Sequence, residues 1–190
     1  MARRGVYPGS FNPPTTAHLA ISEAARDTHG LDEVVWTVSR VALAKEDVSR
    51  PRFEHRIEVL DAVAARIDWL SVAVTDAQLL VDIAVGYDVL IMGADKWHQI
   101  QDPVFYDGDP ARRDAAMAAL PTLAVAPRPP LEVPPTLLLD VPDWTGHVSS
   151  TEARAGTHSM MLHEAMAFDL NTGAWTDDER YRHWLEEHRP

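Results

Sequence analysis

The stretch Gly5-Val6-Tyr7-Pro8-Gly9-Ser10-Phe11-Asn12-Pro13-Pro14-Thr15-Thr16-Ala17-His18-Leu19 decides the fold. A short apolar strand, Gly5 to Tyr7, runs into a loop shaped by glycine and proline, and Thr15 or Thr16 caps a helix that begins at Ala17. Leu19, Ile21, Ala24 and Ala25 predict one buried face for that helix, which reaches about Thr28 and is ended by Gly30. A helix start that follows such a loop is a ready anion site, because its free N–H groups and the positive end of the helix dipole point the same way. His18 stands in the first turn, where its ring can donate a hydrogen bond to a phosphate oxygen, and Thr15 can place a hydroxyl on the same anion. Taken alone, the histidine reads more readily as a buried residue beside a helix cap.

Outward from this segment the pattern repeats. Val34-Val35-Trp36-Thr37-Val38 is a second strand, rich in β-branched residues. A polar segment from Ser39 to Pro51 leads to a helix over about Arg52 to Arg66, with Phe53, Ile57, Leu60 and Val63 on one face. Leu70 to Val74 is a third strand, and Gln78 to Val85 is helical by pattern. Val89-Leu90-Ile91-Met92 is a fourth strand, apolar throughout as a strand buried on both faces should be. Gly93-Ala94-Asp95 then opens a long loop region. Leu123 to Ala126 and Leu137 to Leu139 read as fifth and sixth strands, and helices are expected around Thr151 and from Thr176 to Glu187. The alternation predicts an α/β, Rossmann-like fold: a mainly parallel sheet of five or six strands with helices on both faces. Ligands of such sheets sit beyond the carboxyl ends of the strands, where the loops after Tyr7, Val38 and Met92 fall. A length of 190 residues predicts a single domain over 1–190, with a helical C-terminal segment from about 157 to 190. The stripe Tyr181, Trp184 and Leu185 is expected to pack on the domain or on a second subunit, which leaves a homo-oligomer open.

Composition narrows the chemistry. A formal net charge of −12 repels a long polyanion, so no nucleic-acid partner is expected, whereas 17 Lys and Arg can still gather a local site for a small phosphorylated molecule. With no cysteine there is no disulfide framework, thiolate metal site or cysteine nucleophile. Arg3 and Arg4 are not followed by a long apolar run, and no stretch approaches the length of a membrane span, so no membrane partner is expected and the cytoplasm is. His158 with His163, and His183 with His188, share no helical face at their spacing and predict no metal site. Neither G-x-G-x-x-G nor G-x-x-x-x-G-K-[ST] occurs, which argues against a nicotinamide-dependent oxidoreductase and a P-loop NTPase.

Gly9, Phe11, Pro13, Thr15 and His18 together resemble the signature G-x-F-x-P-x-[HT]-x-G-H of the HIGH-type nucleotidyltransferase superfamily. Val148-Ser149-Ser150-Thr151-Glu152-Ala153-Arg154 is similar to the I-S-S-T-x-x-R motif of the same superfamily, a second helix start where hydroxyls, amides and a planar guanidinium suit phosphate. Gly93-Ala94-Asp95 resembles the G-x-D that meets the nucleotide ribose in nicotinate and nicotinamide mononucleotide adenylyltransferases. Lys45, in Leu43-Ala44-Lys45, stands at the lysine of that branch's P-x-H-K segment, and Arg56 matches an arginine of the following helix. The resemblance runs from Gly5 to about Gly156.

What it implies is an adenylyl or cytidylyl transfer in which an acceptor phosphate attacks the α-phosphorus of ATP or CTP, with ATP favoured and pyrophosphate leaving. Thr15, His18 and Arg154 are the catalytic candidates. Gly9, Ser10, Phe11, Ala17, Gly93, Asp95, Ser149, Ser150 and Thr151 are expected to bind the nucleotide, and Lys45, Arg56 and Trp97 the acceptor. Mg²⁺ is expected to be carried by the triphosphate, with no protein metal site. The expected acceptor is a small phosphorylated molecule, nicotinate or nicotinamide mononucleotide, and Trp97, Phe105 and Tyr106 could stack on its pyridine ring.

Three departures bear on the acceptor. Thr15 replaces the histidine usual in the pyridine branch and is more typical of cytidylyltransferases and of phosphopantetheine adenylyltransferase. Ala17 replaces a glycine. Leu79-Leu80 stands where bacterial nicotinate enzymes carry Tyr-Thr, and Trp97 follows Asp95 too closely to align with their stacking tryptophan. A cytidylyltransferase, a phosphopantetheine-type adenylyltransferase and a catalytically silent nucleotide-binding protein therefore stay open, and so does an aminoacyl-tRNA synthetase fragment, which shares the histidine signature although the acidic charge counts against it.

Overall fold

Five parallel strands form one sheet in the order β3-β2-β1-β4-β5 in the computed structural model, which describes residues 2–40 and 50–189. The strands are β1 (Arg4–Pro8), β2 (Glu33–Ser39), β3 (Leu70–Thr75), β4 (Val89–Gly93) and β5 (Thr122–Ala126). Their registers, such as Val6 against both Val35 and Leu90, put all the carboxyl ends on one edge. The chain order reverses at β1, which lies between β2 and β4, and that reversal opens a crevice at the carboxyl edge.

Period-two alternation divides the strands between two cores. Tyr7, Trp36, Val38, Val89, Ile91 and Ala124 face one cluster, covered by α1 (Thr16–His29) and α2 (Phe53–Ala64). Val6, Leu90, Met92 and Val125 face the other, covered by α3 (Leu80–Ile83), α4 (Ala94–Gln99) and α5 (Pro110–Ala118). Among the described residues a third cluster joins Val59 of α2 to α6 (Ser150–Arg154), α7 (His163–Thr172) and α8 (Asp178–Glu187), with Trp175 and Tyr181 at its centre. The stripe of Tyr181, Trp184 and Leu185 thus packs within this chain.

The expected sixth strand is a correction. Leu138 makes a single parallel bridge to Val125, flanked by hydrogen bonds from Val125 N to Leu137 O (2.8 Å) and from Leu139 N to Val125 O (2.9 Å). Pro134 and Pro135 turn the chain into it, with Leu137 N bonded back to Pro134 O, and Pro142 follows soon after, so no ladder extends. The region after Gly93, read as a long loop, contains α4 and α5. No described helix is long and apolar enough to cross a membrane.

Candidate functional site

A cleft of about 240 Å³ opens at the carboxyl edge between β1 and β4. Its walls are the start of α1 (Thr15, Ala17, His18), the end of β4 (Gly93, Asp95), the segment after β5 (Ala126, Pro127, Arg128) and the start of α6 (Ser149, Ser150, Thr151).

The geometry of His18 comes from the capping of α1. Thr15 is the N-cap, in extended conformation, and its hydroxyl accepts the N–H of His18 at 3.4 Å. The side chain of His18 returns the contact: Nδ1 accepts the backbone N–H of Thr15 at 2.9 Å. This is a capping box with histidine in the place usually held by Glu or Gln. A nitrogen that accepts an amide N–H carries a lone pair, so the neutral ring bears its proton on Nε2. Burial lowers the pKa of His18 from the ordinary 6.5 to about 4. At neutral pH the cleft therefore holds an uncharged imidazole with a fixed Nε2–H donor. The Thr15 hydroxyl lies 2.8 Å from Nδ1 and so serves the ring as well as the cleft.

Behind the histidine stands an aromatic wall. Phe11 stacks on Trp36 (centroids 4.7 Å apart, 16° between planes) and lies 4.9 Å from the His18 ring. Phe11 has φ 44°, a left-handed conformation that costs a side chain about 1–3 kcal/mol and persists because neighbours over-determine it. A Cβ added at Gly9 would come to 3.0 Å from the Phe11 ring, a contact tight enough that the ring would have to shift by a few tenths of an ångström. Trp36 Nε1 donates to Ser22 Oγ at 2.8 Å, which satisfies its buried donor.

Across the cleft, Ser149 caps α6 by accepting the N–H of Glu152 at 3.1 Å. Ser150 Oγ donates to Pro13 O at 2.9 Å, tying the two helix starts together. On the third wall Arg128 Nε lies 3.2 Å from Asp95 Oδ2, with both side chains more than half exposed. Burial pushes the Tyr7 hydroxyl up, and the positive charge of Arg128 draws it part of the way back.

Eight of the expected nucleotide and catalytic residues line the cleft: Thr15, Ala17, His18, Gly93, Asp95, Ser149, Ser150 and Thr151. Arg154, Gly9, Ser10 and Phe11 stand behind or beside it. Arg154 is exposed and does not line the cleft; it gives Nη1 to the carbonyl of Asn12 and Nη2 to the cleft-wall hydroxyl Thr151 Oγ1 at 3.3 Å, so its fork braces the loop. Arg56, 7% exposed, donates to Ser10 O at 3.3 Å and lies 5.4 Å from the Phe53 ring centroid, a buried position beneath the loop. Trp97 packs against the core cluster of Val6, Leu90 and Met92 and does not line the cleft. Lys45 lies outside the described residues. Tyr7, Thr145, Gly146 and Arg128 line the cleft without having been singled out. For Arg128 the signal was available, since it follows the carboxyl end of a legible strand next to β4.

Residues 6–156 match the family model described as Cytidylyltransferase-like. A probable nicotinate-nucleotide adenylyltransferase of Salinibacter ruber is 31% identical over 114 residues, 50% of this chain and 58% of that protein. A phosphopantetheine adenylyltransferase of Symbiobacterium thermophilum is 40% identical over 94 residues, 47% of this chain and 53% of that protein. The matches thus span little more than half the length of these relatives. In three dimensions the chain is similar to Plasmodium falciparum nicotinic acid mononucleotide adenylyltransferase complexed with APC. There the TM-score is 0.64 at 13% identity, over 92% of this chain and 98% of that one, which shows the shared fold.

Proposed function

Since the chain belongs to the cytidylyltransferase-like family, we propose that it transfers the adenylyl group of ATP to a phosphate-bearing acceptor, nicotinate or nicotinamide mononucleotide. An acceptor phosphate oxygen attacks the α-phosphorus in line, the bond to the β-phosphate bridging oxygen breaks, and pyrophosphate leaves with that electron pair. The observation that carries this reading is the capping box, which presents an uncharged imidazole with its N–H fixed on Nε2 in a cleft opposite a second helix start. Such a donor stabilises the charge that grows on the α-phosphate oxygens without having to reorganise during the reaction. Thr15 acts mainly by orienting that ring.

The amides of Ser150 and Thr151 and the Thr151 hydroxyl are assigned to the β- and γ-phosphates. Arg128 on the facing wall supplies the charge expected of Arg154. Asp95, released from Arg128, accepts the ribose hydroxyls, and Gly93 lets the sugar approach the backbone. The names carried by the Salinibacter and Plasmodium proteins support a pyridine mononucleotide as acceptor. Thr15 at the cap and the Symbiobacterium relative favour 4′-phosphopantetheine as the second reading.

Among the described residues no group of three His, Asp or Glu could hold a metal. The cleft offers hydroxyls, an imidazole and a guanidinium, a set suited to phosphate oxygens, together with the carboxylate of Asp95. We assign Mg²⁺ to the triphosphate, whose charge it neutralises. The cytoplasm, where ATP is available, is the compartment this reading favours.

The test is a pyrophosphate-release screen of ATP and CTP against a panel of phosphorylated acceptors. Release with ATP and a pyridine mononucleotide is the expected result. Release with no pair at all, from protein that binds nucleotide, would return the chain to a catalytically silent binder.

A further inference from the structure

The loop between β1 and α1 is fastened from the far end of the chain. Asn12, 5% exposed, accepts on Oδ1 the indole N–H of Trp175 at 2.7 Å, across 163 positions of sequence. The carbonyl of Asn12 takes Arg154, that of Pro13 takes Ser150, and that of Pro14 takes the N–H of Leu162 at 3.0 Å. Thr15 itself bridges Met161. Trp175 lies beyond the family-matched segment 6–156 and beyond every motif read from the sequence.

The indole is aimed by Asp169, a carboxylate only 1% exposed. It accepts the N–H of Trp175 (2.6 Å), the N–H and hydroxyl of Thr176 (3.1 and 2.6 Å) and His158 Nε2 (2.8 Å). Burial pushes this carboxyl up, but the hydrogen bonds outweigh burial and hold it below its ordinary value. Packing alone would not need the indole N–H, since phenylalanine could fill an apolar site. Tryptophan has one donor and no acceptor, and a buried donor has to find a partner; this one finds the side chain that precedes Pro13.

We propose that Trp175 is a positioning residue for the transfer reaction: its indole N–H fixes Asn12, and through Pro13 and Pro14 it sets the Thr15 N–H that orients His18. The inference rests on the role given to His18 above. It makes the C-terminal segment a working part of the site, although no residue of α7 or α8 lines the cleft. It also gives Asn12 a task that asparagine or aspartate can perform and an apolar residue cannot.

The experiment compares Trp175→Phe with wild type in the whole chain, by steady-state kinetics with ATP and nicotinate mononucleotide and by long-range ¹⁵N–¹H spectra of the imidazoles. The variant is expected to lose about tenfold in kcat with KM for ATP little changed, since small misplacements of a catalytic group lower rate more than binding. Its His18 should pass from a single Nε2–H tautomer to a mixture. A kcat and a tautomer both equal to wild type would overturn the proposal, as would a loss confined to KM. Should Trp175→Phe fail to fold, the Asn12 pair decides: Asn12→Asp keeps an acceptor and should retain rate and tautomer, whereas Asn12→Leu should lose both. Equal behaviour of the two would overturn it. His18→Ala separates this inference from its premise. If that variant is slow while Trp175→Phe is not, only the positioning claim falls. If His18→Ala retains full turnover, both fall.

Discussion

Replacing His18 with alanine removes two contacts whose sizes can be worked out separately. The first is the Nε2–H donor. With a pKa of about 4 the ring is protonated in only about one molecule in a thousand at pH 7, so the group lost is a neutral donor held by Thr15 N–H on its other nitrogen. One preset donor to a developing oxyanion is worth about 2.7–4 kcal/mol, or about 10²–10³ in turnover. The second is half of the capping box. Thr15 N–H loses its partner, and a lost cap contact costs about 0.5–2 kcal/mol of stability, which lowers the melting temperature without unfolding the protein. Turnover should fall far more than affinity for a non-hydrolysable ATP analogue, because the hydrogen bond strengthens as charge builds on the α-phosphate. Pyrophosphate release at saturating ATP measures the first quantity and calorimetric titration the second. An unchanged turnover rate, or a loss that appears only as weaker binding, would refute the role assigned to this ring.

The two arginines should separate cleanly in calorimetry and thermal melts. Arg128→Ala should weaken binding of the ATP analogue with little effect on melting, because its ion pair with Asp95 is exposed. Arg154→Ala should lower the melting temperature and kcat, since it braces the Asn12 carbonyl; the opposite pattern would show that Arg154 faces the phosphates after all. For pH, a folded pKa of about 4 lies below the unfolded 6.5, so the unfolded chain takes up the proton first as pH falls. Stability tied to His18 should be complete above about pH 6.5 and decline towards pH 4, by about 3 kcal/mol in all. Denaturant melts of wild type and His18→Ala across this range test it, together with an NMR titration of the ligand-free protein; a midpoint near 6.5 would contradict the desolvation of the ring.

The strand–loop–helix from Arg4 to His29 was readable because its signals are local: an apolar strand, a threonine cap and a closing glycine within one short window. The five strands were readable for the same reason. The C-terminal edge of the sheet was not, because Leu137 to Leu139 looks apolar enough for a strand, while the flanking prolines limit it to one bridge. α5 did carry a signal, Asp109 capping a helix with Pro110 at its first position, and the expected loop masked it. The placement of Arg154 was not legible at all. Its spacing from Ser150 and Thr151 suits phosphate, and its guanidinium also holds a carbonyl 142 positions away, a contact that spacing along one helix cannot reveal. The same holds for Trp175 and Asn12. Trp97 illustrates a further limit: an aromatic residue just after a strand end is as well suited to cover a core as a ligand, and Trp97 is partly buried against the core.

The most direct test of the central claim is incubation of the protein with ATP, Mg²⁺ and either nicotinate or nicotinamide mononucleotide, with the product identified by mass spectrometry. The account predicts the adenine dinucleotide of one of them, formed together with pyrophosphate and abolished to near background in His18→Ala. Absence of both dinucleotides from folded, nucleotide-binding protein would contradict the acceptor assignment, and absence of any adenylylated product across the phosphorylated panel would contradict the transferase reading itself.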